Sequence, residues 1–146
     1  NSDWMFNFVY TDALTRGDRP LADRVATAFL AHIEDSVAFY EDAEQRMFGR
    51  PIAHVLLLHA NQLNADHFAA VAAMLRRRGY AFVTLEQALR DPAYAEPDTY
   101  VGPSGVSWMF RWDHSRGRKQ VDWTRQPAPP AFVNELYEAA LAAPPP

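Results

Sequence analysis

The chain has no cysteine among its 146 residues. That excludes a disulfide framework and any thiolate metal site, and leaves the compartment open. No uninterrupted apolar stretch is long enough to span a bilayer, so no membrane span is expected. There is no excess of positive charge either. The formal net charge is −4, and nucleic acid is not an expected partner. The one basic run, Arg76-Arg77-Arg78 before Gly79, reads as a last helical turn, where cations suit the dipole and the free carbonyls. No signal peptide and no internal repeat is visible. The sequence opens on Asn1-Ser2-Asp3 without an initiator methionine, and the expectation is a chain that begins partway through a larger protein.

What is present is ordinary globular material. Hydrophobic residues make up 49% and charged residues 22%, enough for one core. Residues 1 to 20 read as a loop with short structured pieces, because Gly17-Asp18 and Pro20 are turn signals. A long helix is predicted from residue 21, with Leu21, Val25, Phe29, Ile33 and Val37 recurring at a spacing of four. Leu30, Tyr40 and Met47 broaden that stripe. Gly49 ends it as a left-handed cap, and Pro51 prevents its continuation.

The apolar run Ile52 to Leu58 predicts a strand buried on both faces, as in a parallel sheet covered by helices. A second helix is expected to start at Asn64 as N-cap, with Leu63 and Phe68 at hydrophobic-staple spacing. Val71, Ala72 and Leu75 continue its buried face to Gly79. Tyr80 to Val83 reads as a second strand. Thr84 and Gln87 have capping-box spacing for a short helix, Leu85 to Leu89.

The order helix, strand, helix, strand, helix predicts an α/β fold with parallel strands. Two strands alone do not make a stable sheet, so neighbours from upstream sequence or another chain are expected. Tyr94 and Tyr100 are expected to pin an irregular segment. Trp108 and Trp112, four apart, read as packing anchors on one helical face. Residues 113 to 130 read as an exposed arm, Phe132 to Leu141 as a last helix, and Pro144-Pro145-Pro146 as an extended or disordered tail.

Four stretches together suggest a family. They are Asp3-Trp4, the run His54-Val55-Leu56-Leu57-Leu58-His59, Arg78-Gly79-Tyr80 followed by Phe82-Val83, and Asp91-Pro92-Ala93-Tyr94. In order and spacing they resemble the carboxyl-terminal half of polysaccharide deacetylases, the NodB-homology enzymes of carbohydrate esterase family 4. The resemblance covers residues 1–112 and leaves 113–146 as an irregular extension. It implies the carboxyl-terminal part of a distorted (β/α)7-type barrel. It also implies a divalent metal, zinc in most such enzymes, in the complete protein, and an N-acetylated glycan as substrate. Enzymes of that kind work at the cell envelope or outside the cell.

By the same resemblance, His59 matches the general acid and Asp3 the acidic residue that tunes it. Leu57 matches the wall of the acetyl-methyl pocket, and Trp4 the aromatic wall of the groove. The chemistry suits those residue types, since an imidazolium can give a proton to a departing amine and a nearby carboxylate favours the charged ring. The aspartate base and the metal-histidine motifs of the amino-terminal half have no counterpart here. The expectation is therefore that this chain ligates no metal and is inactive without that missing half. His54, an odd number of residues from His59, reads as facing the other way. His67 reads as surface, and His32 as no part of a metal site. The alternative is a non-catalytic carbohydrate- or protein-binding module, with Trp4, Trp108 and Trp112 supplying stacking.

Overall fold

The computed structural model describes residues 2–103, 105–117 and 119–142. The Pro144–Pro146 tail lies outside the described residues. The elements run α1 (Asp3–Thr15), α2 (Arg19–Phe48), α3 (Gln62–Arg77), α4 (Leu85–Ala88), α5 (Trp108–Ser115) and α6 (Ala131–Ala142), with 3-10 turns at Pro92–Ala95 and Trp123–Arg125. Among the described residues there is no strand and no bridge. The fold is helical, and the expected α/β barrel with parallel strands is overturned.

The physical reason lies in the two segments read as strands. Ile52 is buried, but Val55, Leu56, Phe82 and Val83 are exposed, and Leu57 is 73% exposed. Neither run is sealed between layers of helices. Backbone donors that a ladder would use are taken by carboxylates instead. Glu44 Oε2 accepts from the Ile52 N–H (2.8 Å), Asp91 Oδ2 from Ala53 (3.1 Å) and Asp3 Oδ2 from His59 (2.9 Å). Hydrophobicity alone does not distinguish a strand from an irregular apolar run pinned in this way.

The chain divides into two compact units. The first comprises 1–36, 57–81 and 127–146. Here α1, read from sequence as a loop, is a helix that packs on α3 and α6. Phe6, Val9 and Ala13 are buried along it, and Phe6 meets Phe29 edge to face at 5.7 Å. Val25, Phe29 and Ile33 of α2 are buried at the expected spacing of four. His32 is buried too, tilted against Phe6. Asp18 Oδ1 accepts from the Leu21 N–H and caps α2.

The start of α3 differs from expectation by one turn. Its N-cap is Asn61, whose side chain accepts from the Asn64 N–H at 2.9 Å. Asn64 is therefore the third helical residue. Leu63 then lies inside the helix as its second residue, not before the cap where a staple residue stands. The basic run ends the helix as predicted, with Arg76 and Arg77 in its last turn, Arg78 as C-cap and Gly79 at φ 90°.

The second unit comprises 37–56 and 82–126. Ala43, Met47, Ile52, Ala93, Met109, Trp112 and Val121 form its core. Trp112 is a packing anchor as expected, and Trp108 is partly exposed. The expected arm at 113–130 instead contributes to that core. Val121 and Asp113 are buried, and Asp113 accepts from Gln120 N–H and Trp123 Nε1–H. The capping box of Thr84 and Gln87 is formed. Tyr94 Oη donates to the Ala53 carbonyl at 2.8 Å, and its ring meets Trp108 and Trp112. Tyr100 packs on Phe110 and His114 of α5.

Asp91 is the main clip of this unit. It receives Arg50 through two bonds of 3.0 and 2.6 Å and the N–H groups of Ala53 and Ala93. The Arg50 guanidinium, then the two backbone donors, hold its carboxyl far below the usual carboxylate range against the opposing effect of burial. A depressed folded value contributes stability above the unfolded value of about 4, lost as pH falls below it. Asp91→Ala is expected to cost about 2 kcal/mol at neutral pH, through lost bonds to a charged acceptor. Chemical denaturation should show that cost shrinking as pH falls below about 4.

Candidate functional site

The site lies in the first unit and is built from two helix starts. Ser2, at φ 54°, provides no side-chain cap for α1. Asp3 follows in the first turn, where a negative charge is favoured by the helix dipole. Across from it, His59 ends the apolar run and Asn61 begins α3.

Asp3 is wholly buried, and both its carboxylate oxygens are engaged. Oδ1 lies 2.7 Å from His59 Nδ1. Oδ2 accepts from the His59 backbone N–H at 2.9 Å, from Asn64 Nδ2 at 2.6 Å and, at 3.4 Å, from Asn61 Nδ2. Burial alone pushes this carboxyl up. The hydrogen bonds from the His59 backbone, the His59 ring and Asn64 outweigh it, and the net value lies below the ordinary one.

Only one edge of the imidazole is tied down. The His59 side chain is 55% exposed, so Nε2, opposite the carboxylate, is the nitrogen left to serve an incoming group. Trp4, next to Asp3 on α1, is half exposed and meets the His59 ring edge to face at 6.1 Å. The sequence-predicted residues Asp3, His59 and Trp4 are thus brought together. Leu57 sits two residues before His59, but its exposure means that it does not line an enclosed methyl pocket.

His54 Nε2 lies 2.8 Å from Glu44 Oε2 in the second unit. His67 meets Tyr10 edge to face, and its Nε2 is buried without a hydrogen-bond partner rather than on the surface. Among the described residues no group of three histidine, aspartate or glutamate side chains is placed to hold a metal ion. No helix among those residues is long and apolar enough to cross a membrane.

From sequence Asn64 reads only as a helix N-cap, and Asn7 and Asn61 carry no expected role. Asn61, Asn64 and Asn7 organise the site: Asn7 Oδ1 accepts from the Leu63 N–H at 3.0 Å and ties α1 to the start of α3. Tyr10 Oη donates to Asp66 Oδ2 at 2.9 Å one turn further on. Asp3, Asn7 and Tyr10 have the i, i+4, i+7 spacing of one helical face. That spacing, together with Asn61 three residues before Asn64, was the available signal.

No family model, no curated protein and no solved structure matches this chain.

Asp3→Asn replaces an acceptor-only group, surrounded by donors, with one that carries donors of its own. It is expected to cost about 2 kcal/mol. The depressed folded value also assigns Asp3 a share of stability that is present above pH ~4 and lost below it. Urea titrations at pH 7 and pH 3 should show a destabilisation at pH 7 that is smaller at pH 3.

Proposed function

We propose that this chain supplies the general-acid part of a carbohydrate N-deacetylase, acting on the acetamido group of a polysaccharide or oligosaccharide. The observation that carries this reading is the buried Asp3 carboxylate holding the exposed His59 ring by Nδ1. The motifs that resemble those of polysaccharide deacetylases supply the substrate class.

The proton movement follows from the geometry. Protonated His59 carries N–H on both nitrogens. Nδ1–H stays with Asp3, and Nε2–H is given to the departing amine nitrogen. As the carbon–nitrogen bond breaks, its electron pair remains on nitrogen and takes that proton. The ring is left neutral, with its remaining proton on the Asp3 side. Trp4 offers an indole face beside the ring for the apolar side of a sugar.

The water that attacks the carbonyl needs a base, and in the resembled family a metal. In this reading both come from outside this chain, as the resemblance implies. The isolated chain is then inactive, and activity appears when it is joined to a segment carrying those groups.

A second reading, a non-catalytic interaction module, is favoured by the exposed apolar side chains of Trp4 and Leu57 in one unit and of Val55, Leu56, Phe82 and Val83 in the other. Its carbohydrate form is weakened because Trp112 is buried and unable to stack on a sugar.

The test is acetate release from N-acetylated oligosaccharides by the joined protein, with zinc supplied. His59→Ala is expected to lower kcat about 10²- to 10⁴-fold, the usual contribution of a positioned acid. A metal-loaded protein that releases no acetate from any N-acetylated glycan would overturn the reading, as would a His59→Ala variant of full activity.

A further inference from the structure

Asn64 lies in the first turn of α3, but its side chain is committed to the dyad. Nδ2 is 2.6 Å from Asp3 Oδ2 and 2.8 Å from the carbonyl oxygen of His59. One amide nitrogen carries two N–H groups, so a single side chain satisfies both acceptors. The residue is buried, and its Oδ1 is buried without a hydrogen-bond partner. The unpartnered oxygen bears on which way the amide faces. Turned the other way, Oδ1 would confront a carboxylate and a carbonyl oxygen, which costs more than leaving one acceptor empty. Only a side chain with two donors at that point suits the site. Leucine has none, and aspartate would bring a second carboxylate against the first.

The consequence reaches His59 through Asp3. The two carboxylate oxygens of Asp3 share one plane. Fixing Oδ2 against Asn64 and the His59 N–H leaves Oδ1 aimed at His59 Nδ1. Asn64 also grips the carbonyl of the residue whose ring is being held. Which imidazole nitrogen keeps the proton in the neutral ring is set by the bond that the other side makes.

We propose that Asn64 is a positioning residue of this site: by holding Asp3 Oδ2 and the His59 carbonyl together, it fixes neutral His59 as the Nδ1–H tautomer with Nε2 free for proton exchange. The inference rests on the reading of His59 as the proton-carrying group and names what holds that group ready.

The experiment is nitrogen-15 NMR of the histidine rings in the full chain, above the pH at which the rings are protonated. His59 signals are assigned by their loss in His59→Gln. The wild-type ring is expected to show a protonated Nδ1 and an unprotonated Nε2. Asn64→Leu, checked for a cooperative thermal transition, is expected to move at least half of the His59 population to the Nε2–H form. If Asn64→Leu does not fold, Asn64→Asp, of nearly the same size, decides by the same signal. A folded variant that keeps the full wild-type tautomer overturns the proposal, and so does a wild-type ring protonated on Nε2. The readout involves no acetate release. A normal tautomer response with no deacetylation in the joined protein would therefore count against the reaction alone, and the reverse against Asn64 alone.

Discussion

The buried carboxylate of Asp3 is the constraint on which the candidate site depends. An isolated ionised carboxylate is very costly to bury. Here the cost is offset by a backbone N–H, an imidazole and an asparagine amide within 3.0 Å. Each donor comes from residues 59 to 64, so satisfying one charge gathers the whole connection between the apolar run and α3. Take the charge away and the same donors lose their common focus. The geometry of His59 is thus a by-product of neutralising Asp3, which is why an exposed ring can still hold one orientation.

The same device recurs in the second unit. Glu44 takes the Ile52 N–H and His54, Asp91 takes Arg50 with two backbone donors, and Asp113 takes a backbone donor and an indole N–H. Carboxylates stand where a sheet would have placed carbonyl oxygens. Hydrogen bonds to a charged acceptor are stronger than those between neutral groups. A few such side chains can therefore pin an irregular segment whose backbone donors have no ladder.

That substitution explains what could be read in the sequence and what could not. The long helix was legible because Val25, Phe29 and Ile33 recur at the helical period, and the capping box because Thr84 and Gln87 act within one turn. The Asp3–His59 pairing was legible as a pair of motifs fifty-six residues apart. The strands were misread because Ile52–Leu58 has strand composition, while a sheet depends on partners that composition does not reveal. Helix α1 was missed for another reason. Trp4 and Phe8 are exposed while Asp3 and Phe6 are buried, so apolar and polar residues are interleaved on both sides and no amphipathic stripe stands out. In the sequence Asn64 is legible only as a helix cap, because its role depends on a carboxylate sixty-one residues away.

Helix ends are the parts of a helix that open most readily. The dyad joins Asp3, in the first turn of α1, to His59, which lies just before α3 and whose carbonyl is held by Asn64 in that helix's first turn. Its alignment is therefore expected to follow the opening of those turns before that of the whole unit. On warming, alignment of the imidazole should be lost gradually, while the helices behind it remain intact. The ordered fraction of the site is a local quantity, with a temperature dependence of its own.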